Sequence, residues 1–595
     1  MSGNPPSGGL ASYTITANGR AIPGDYQILR IQVDQRINRI GRATLEILDG
    51  SADAENFTVS ASSTFVPGAE IVISLGYDAE NKSVFSGIVT RQSVQVEGNI
   101  GPILSIECRD KAIKMSVGRR STVYQNQTDS GVISALISQS GLSSDVASTS
   151  LTLAELVQYY CSDWDFMLSR ADINGLVVST LNGKVSVFSP TQNTTSVLTV
   201  TYGENLYQFS ADMDAVTQLS EVKASAWDYA TQKCISATAK NTLSGPGNIS
   251  SKKLSAVVGL PTFTLQSTAT LNNGALTQWS QAQMQKSELA KITGEVRVAG
   301  NAAVLPGVWL TLAGVGDRFD GDYFVSGVEH EFADGNWFTR ASLGLSSLWF
   351  VQQHEVMAPA AAGVLPGVEG LFNATVQKID QDPNNAYRIL VTLPLFDTEG
   401  HGVWARMANF YSSSGVGAFF LPEVGDEVIV GFLNLDPCFP VILGSVYSGK
   451  RAPFSDLKPD ADNSKKAIVT HSEMRIVFDD KDSIMTITTK AKNVIVLDDK
   501  KQQITITDQH NNAITMSSSG IELKSPASIT IQADQKVNIT GKMGVSLQAS
   551  SGDVAISGMN VNAKADIALS AKGNASAQVQ GGAELTLKGA IVMIN

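Results

Sequence analysis

Four kinds of side-chain grouping in this sequence could carry chemistry. Glu423, Asp426 and Glu427 lie close enough together to serve as a general acid and base. No basic or nucleophilic side chain neighbours them, and they stand in a strand-turn pattern, so turn and rim chemistry is expected of them. The runs Asp479-Asp480-Lys481-Asp482 and Asp498-Asp499-Lys500-Lys501 hold enough carboxylates to attract a hard cation. Each falls between apolar strand triplets at repeat spacing and reads instead as a solvated corner. The five histidines, His330, His354, His401, His471 and His510, show no HExxH or HxH spacing, and His330 in its alternating strand is expected to make a structural hydrogen bond. Cys108, Cys161, Cys234 and Cys438 form no CxxC pair and read as buried free thiols. The expectation is therefore no catalytic residue, no cofactor, no metal and no enzyme.

The elements that would position these groups are mostly strands. From about residue 10 to 125, short period-2 runs such as ILRIQV (28–33) and EIVISL (70–75) read as a β-barrel or meander. Val132, Ile133, Leu136 and Ile137 share a helical face that Gly141 would cap. Thr152 with Glu155 fits a capping box for a further helix, Asp163 to Gly175 reads as another, and GLVVSTLNGKVSVF reads as a hairpin. A longer helix over 275–292, stopping at Gly294, leads into a second strand-rich block. Residues 355–368, rich in Ala, Gly and Pro, read as a linker, and the strands of 371–447 suit a small closed barrel of the OB type.

The last stretch repeats. Ile521-Glu522-Leu523, Ile529-Thr530-Ile531, Val537-Asn538-Ile539 and Val545-Ser546-Leu547 recur every eight residues, earlier copies (Ile504 to Ile506, Ile514 to Met516) run closer to ten, and later ones (Val554 to Ile556, Ile567 to Leu569, Leu585 to Leu587) drift. Two or three apolar side chains per strand, with no helix to cover them, cannot close a core within one chain. Three identical chains could, as a triangular prism with the apolar residues on its axis and no free edge along the shaft. Taken alone, the repeat fits a puncturing needle or a fibrous stalk equally well.

Composition bounds the rest. At 595 residues the chain should hold several domains, and 43% hydrophobic with 17% charged residues is ordinary for folded protein. A net charge of −12 without a Lys/Arg cluster argues against unspecific nucleic-acid binding. Neither a leader-like start nor an uninterrupted apolar run of ~18 residues is present, so synthesis and folding in the cytoplasm are expected.

The segment 421–453, LPEVGDEVIVGFLNLDPCFPVILGSVYSGKRAP, resembles the OB-fold of the VgrG and phage tail-spike family through Pro422, Glu423, Gly425, Asp426, Glu427, Val428, Phe432, Asp436, Pro437, Pro440, Gly444 and Tyr447. Leu435 stands where the family usually has Gly. A second match, 305–332, carries Leu305, Pro306, Gly307, Phe319, Gly321, Tyr323, Val325, Val328 and His330 at positions of the family's hub domain, and 162–178 is similar to its helix-then-hairpin segment. The resemblance implies a hub of two β-barrels with helical insertions (1–354), an OB-fold (369–450) and, after a linker over 451–467, an intertwined triple-stranded β-helix formed by a trimer (468–595). It implies a homotrimeric spike that caps the inner tube of a contractile injection system, contacts baseplate proteins, carries effector cargo in some relatives and punctures the target envelope on firing. The trimer core of the needle would be Ile521, Leu523, Ile529, Ile531, Val537, Ile539, Val545 and Leu547. A PAAR-repeat tip protein would bind around Ile591, Val592, Met593, Ile594 and Asn595. No lysozyme domain fits between OB-fold and needle, no fused toxin is expected, and the histidine pair that holds a tip metal in some phage needles is missing. A particle released extracellularly or anchored in a membrane is favoured over the alternatives, a type VI secretion spike or a phage baseplate hub. A trimeric receptor-binding fibre is the alternative of another class.

Overall fold

The computed structural model describes residues 9–98, 101–242, 244–395, 399–457 and 459–594. Strands dominate, and the chain divides into two compact units, residues 1–445 and 446–595.

Where the sequence suggests two separate barrels near the N-terminus, one continuous 13-stranded sheet is found. Its order runs from Leu206–Met213 through Ile292–Ala299, Asn336–Leu343, Gly321–Ala333, Ile28–Arg36, Arg42–Leu48, Gly101–Arg109, Glu80–Glu97 and Glu70–Tyr77 to Ala11–Ala17 and Arg20–Ala21. Two apolar cores survive within it. One gathers Ile31, Leu45, Ile73, Phe85 and Ile106, the other Val296, Leu310, Tyr323, Val325 and Leu343. The strand Gly321–Ala333 is long enough to serve both, because its thirteen residues pair with Trp309–Ala313 at one end and with Ile28–Arg36 at the other. That single strand joins the two cores in one sheet.

The first two helices pack a core of their own, around Val132, Leu136, Met167 and Leu168. Asp129–Gln139 and Asp163–Ile173 form as expected, with Thr128 and Ser162 accepting the first-turn N–H groups and Gly141 and Gly175 in left-handed conformation beyond their C-termini. Thr152, by contrast, caps no helix. Residues Thr152–Cys161 are a strand paired antiparallel to Arg120–Thr128, since the β-branched and aromatic side chains of LVQYY find cross-strand partners there, Val157 against Val123 and Leu156 against Tyr124. The hairpin Val177–Leu181 and Lys184–Phe188 turns on Asn182 and Gly183, both at positive φ as a two-residue type I′ turn demands. The long helix spans Asn273–Leu289 and ends five residues before Gly294. Gly294 lies inside the following strand, where a Cβ would meet the Ser210 carbonyl oxygen at 2.2 Å.

Residues 372–445 close a five-stranded barrel, in the order Phe372–Lys378, Ile389–Thr392, Val403–Met407, Pro440–Ser445 and Glu427–Phe432, around Val376, Val391, Ala405, Val428 and Ile442. The preceding linker is less free than its composition suggests: Ala361 is buried in a short 3-10 turn and the Val368 N–H donates to the Leu435 carbonyl at 2.8 Å.

The second unit opens with a seven-stranded antiparallel meander from Lys465–Val469 to Gly520–Lys524, where a β-helix was expected from residue 468 onward. From 525 to 594 no described residue pairs into a strand within the chain.

Candidate functional site: an apolar ladder and the turns that set it

The meander's turns explain its register. On one edge, Thr470, Thr489 and Asp508 each donate an N–H to the carbonyl four residues on, and on the other, Asp480 and Asp499 start shorter turns. A left-handed residue precedes each of the first five return strands: Glu473, Ser483, Lys492, Gln502 and Asn511 have φ between 51° and 65°. Unequal turns on the two edges produce the spacing near ten that the sequence shows. Asp479 accepts the Lys481 and Asp482 N–H groups, and Asp498 accepts the Lys501 N–H at 2.8 Å, so the acidic runs are turn caps. Asp498 is buried rather than solvated, and that donated bond holds its carboxyl below the usual carboxylate range. The remaining charges pair across the corners, Lys481 with Asp462 at 3.2 Å and Lys500 with Asp482 at 3.3 Å.

Because successive strands pair in register, one face of the sheet becomes a ladder two side chains wide. One column reads Ile468, Ile476, Ile487, Ile495, Ile506, Ile514 and Leu523, and the other Phe478, Met485, Leu497, Ile504, Met516 and Ile521 after Lys466 at its head. The opposite face carries Thr486, Thr488, Thr505, Thr507 and Thr515 among Val477, Val494 and Val496. A sheet with one apolar and one polar face has its core on one side only. Here that side is bare: no helix packs on the ladder among the described residues, and Ile468, Phe478, Leu497, Ile504, Ile506 and Met516 are more than a third exposed.

Beyond Lys524 the chain stops reversing. It bends at 526, 534, 542, 550, 559, 566, 574, 582 and 590, so the period is eight on average over the whole segment, including the part whose side chains drift. The residue before each bend is small: Ser525, Ala533, Gly541, Ala549, Gly558, Ala565, Gly573, Gly581 and Gly589. At Gly541, Gly573 and Gly581 a Cβ would lie 2.0–2.2 Å from the carbonyl oxygen three residues on. This phase corrects one expected copy. Ile567 sits in a bend and is fully exposed, and the copy begins at Leu569 with Ser570 and Ala571. Val561-Asn562-Ala563 and Ala577-Gln578-Val579 are copies that the apolar pattern misses, because alanine replaces one of the large residues. The residues expected in a trimer core, Ile521, Leu523, Ile529, Ile531, Val537, Ile539, Val545 and Leu547, are 47–73% exposed in the single chain. Ile591, Val592, Met593 and Ile594 are more than half exposed, and Asn595 lies outside the described residues.

The barrel motif is built as a set of turns. Glu423 to Asp426 makes a tight turn with Gly425 at φ +88°, the conformation that its third position requires. The Asp426 carboxylate accepts the Glu423 N–H at 2.9 Å, while Gly425 N–H and Asp426 C=O both pair with Val376. Pro422 and Val428 are buried on either side, and Glu427 starts the strand. The Asp436 carboxylate accepts the Cys438 N–H at 2.9 Å across Pro437, and Pro440 and Gly444 lie on the return strand opposite Phe432 and Ile429. Leu435 is left-handed at φ +58°, a conformation that glycine adopts without steric cost. Of the three carboxylates considered for acid and base chemistry, that of Asp426 thus caps the turn, while Glu423 opens it through its backbone and Glu427 begins the strand.

The buried titratable groups are likewise absorbed by structure. His330 is fully buried between Val33 and Thr339, with Nδ1 2.9 Å from the Thr339 hydroxyl and Nε2 without a partner. Burial pushes its pKa down to about 4. Lys291 is buried, and its ammonium donates to the Ser244 and Ile249 carbonyls. Cys108 is buried with its thiol pushed up to about 12, and Cys161 is buried too. Cys234 and Cys438 are exposed, against expectation, one on the outer side of a hairpin strand and one at the crest of the Asp436-Pro437 turn.

Residues 7–334, more than half of the chain, match the family described as the Alg8 N-terminal domain, and residues 372–447 match the type VI secretion system/phage-baseplate injector OB domain. The chain belongs to the Alg8 N-terminal domain family and to the VgrG and phage tail-spike family. Among curated VgrG relatives, it is 36% identical over 98 residues to the type VI secretion system spike protein VgrG3 of Vibrio cholerae, covering 15% of this chain and 10% of that protein. It is 40% identical over 57 residues to VgrG4b of Pseudomonas aeruginosa, covering 9% and 7%. The matched stretch is thus about a tenth or less of either VgrG relative's length. Among solved structures, a 43 kDa prophage tail protein from Shewanella oneidensis aligns with 57% of this chain and 99% of its own at TM-score 0.43 and 12% identity. A Francisella PdpA-VgrG complex aligns with 88% of this chain and 89% of its own at TM-score 0.38 and 10% identity.

Proposed function

We propose that this VgrG-family chain is the central spike of a contractile injection system, a passive mechanical part that works as a homotrimer. The observation that carries the reading is the bare apolar ladder. Burying an exposed aliphatic side chain is worth about 1.5–3 kcal/mol, so a face of thirteen apolar residues left in water would be a large penalty unless like faces meet. Three ladders facing a common axis remove that surface from water and leave the threonine faces outside. The eight-residue coil continues the same apolar pair down the shaft, and stacked ladders on three sides resist bending because each broken, buried backbone bond costs about 1–3 kcal/mol. The spike so formed would cap the inner tube, sit in the baseplate and pierce the target envelope when the sheath contracts. It would carry a PAAR-repeat tip protein around Ile591–Asn595. The energy comes from the sheath, so no active site is required. Native mass spectrometry of the full chain at micromolar concentration tests the assembly, with a trimer expected and a monomer refuting it. Electron microscopy of the assembled particle tests the place of the trimer on the tube axis.

A further inference from the structure

The OB barrel carries an apolar feature that neither its own core nor the needle ladder uses. Between strands Val403–Met407 and Glu427–Phe432 a two-stranded ribbon, Ser412–Ser413 with Val416–Gly417, is anchored to the barrel by the Ala408 N–H donating to the Ile442 carbonyl at 2.9 Å. It is a tight ribbon: the Ala418 N–H donates to the Tyr411 carbonyl at 2.9 Å, and a Cβ on Gly417 would lie 2.8 Å from that same oxygen. Its flanks present Phe410 at 89% exposure, Phe419 at 78% and Tyr411 and Phe420 at 56% each. From Ala408 to Leu421 no residue is charged. Four rigid aromatic side chains on a short, firmly tied ribbon are a binding surface waiting for a dry partner.

Its chemistry selects among partners. A nucleic-acid or lipid surface would call for Lys or Arg beside the aromatic residues, and the segment has neither. A second copy of this chain needs no charge and is already held nearby. Only residues 446–464 separate the barrel from the first needle strand, a tether of about 60 Å at full stretch, so barrels whose needles have joined meet at an effective concentration of about millimolar. The barrel's outer surface also offers a matching apolar acceptor at Leu433, Phe439 and Leu443, each more than half exposed.

We infer that the Asn409–Phe420 ribbon of one copy packs on the OB barrel of the next, over Leu433, Phe439 and Leu443, closing a ring of three head-to-tail contacts. The inference rests on the trimeric reading and adds a second, separate contact to it. It is tested in the full chain by placing a benzophenone-bearing phenylalanine analogue at Phe419, assembling trimers from equal parts of unlabelled and 15N-labelled chain, and mapping the cross-links after native mass spectrometry. Mixed-isotope cross-links to the 433–443 peptide are expected, and a Phe410→Ser, Phe419→Ser variant should leave the trimer intact while lowering the midpoint of barrel unfolding by several degrees. Cross-links confined to one isotope, or a variant barrel of unchanged midpoint, in a sample that remains trimeric would overturn the ribbon contact and leave the needle trimer standing. A monomer before cross-linking would overturn both. Cross-linking that occurs only with added anionic vesicles would overturn the ribbon contact in favour of a membrane.

Discussion

Ile506 and Thr505 are chain neighbours on opposite faces of the same strand, and together they decide whether the ladder is an interface. Ile506 keeps 39% of its surface exposed in the single chain. Full burial of such a side chain is worth about 1.5–3 kcal/mol, so the remaining share is about 1 kcal/mol per chain, or about 3 kcal/mol for three chains. Ile506→Ala should therefore weaken trimer formation by about two decades in the dissociation constant. Ile506→Asp brings three carboxylates towards one dry axis, each ion costing several kcal/mol, and should abolish the trimer at micromolar concentration. Thr505→Asp should change stability by no more than about 1 kcal/mol, the span of strand propensity. Sedimentation equilibrium across a concentration series, with circular dichroism to confirm that the strands are retained, reads all three. Equal losses from Thr505→Asp and Ile506→Asp, or a larger loss from Thr505→Asp, would refute the facing of the ladder.

Other consequences can be read in the first unit. His330 has a folded pKa near 4 against an ordinary value of 6.5, so the unfolded chain binds the proton first. Its stabilising contribution is complete above pH 6.5 and is lost as the pH falls towards 4, to a total of about 3 kcal/mol. Protection factors at strands Ile28–Arg36 and Asn336–Leu343, corrected for the intrinsic pH dependence of exchange, should fall over that window in the native chain and not in His330→Gln; identical profiles would count against it. Asp129, buried and bound by the Arg170 guanidinium at 2.6 and 2.9 Å and by Asn174 at 2.8 Å, should cost about 3–5 kcal/mol when changed to Ala, seen as early loss of helix protection around Asp129–Gln139. A loss below 1 kcal/mol would show the pair to be ornamental. Leu435→Gly relieves a left-handed leucine that costs about 1–2 kcal/mol while giving up part of a half-buried side chain. A net gain of about 0.5–1 kcal/mol in barrel stability is expected from denaturant titration, and a net loss would mean that the leucine side chain outweighs the backbone strain.

Much of this was legible where one local rule dominates. Helices with an N-terminal cap and a following glycine, as at Thr128 with Gly141 and Ser162 with Gly175, lie within a few residues of where the sequence places them. Asn182-Gly183 specifies its hairpin almost alone. Thr152 with Glu155 misleads because a capping box is only permissive, and Val123 and Tyr124, distant in sequence, offer the segment a strand partner instead. The merging of two barrels into one sheet depends on how far Gly321–Ala333 extends, which no local signal sets. In the C-terminal repeat the apolar triplets were visible, but their phase was carried by something quieter. The small residue before each bend, from Ser525 to Gly589, keeps time even where Ala563 and Ala571 stand in place of larger residues, and steric clearance rather than hydrophobicity is what repeats. The aromatic ribbon at 409–420 gave no sequence warning, since alternating aromatic residues beside glycine look like any strand end until the barrel is seen to exclude them.

The even bends after Lys524 have a consequence for how such a shaft can change over generations. Each octad carries its own bend and its own alternating triplet, so whole octads could be lost or duplicated without displacing the neighbours of any other. Removing four residues would put every later side chain on the wrong wall. In the proposed trimer, reach would thereby be a modular quantity, adjustable in fixed increments of one octad.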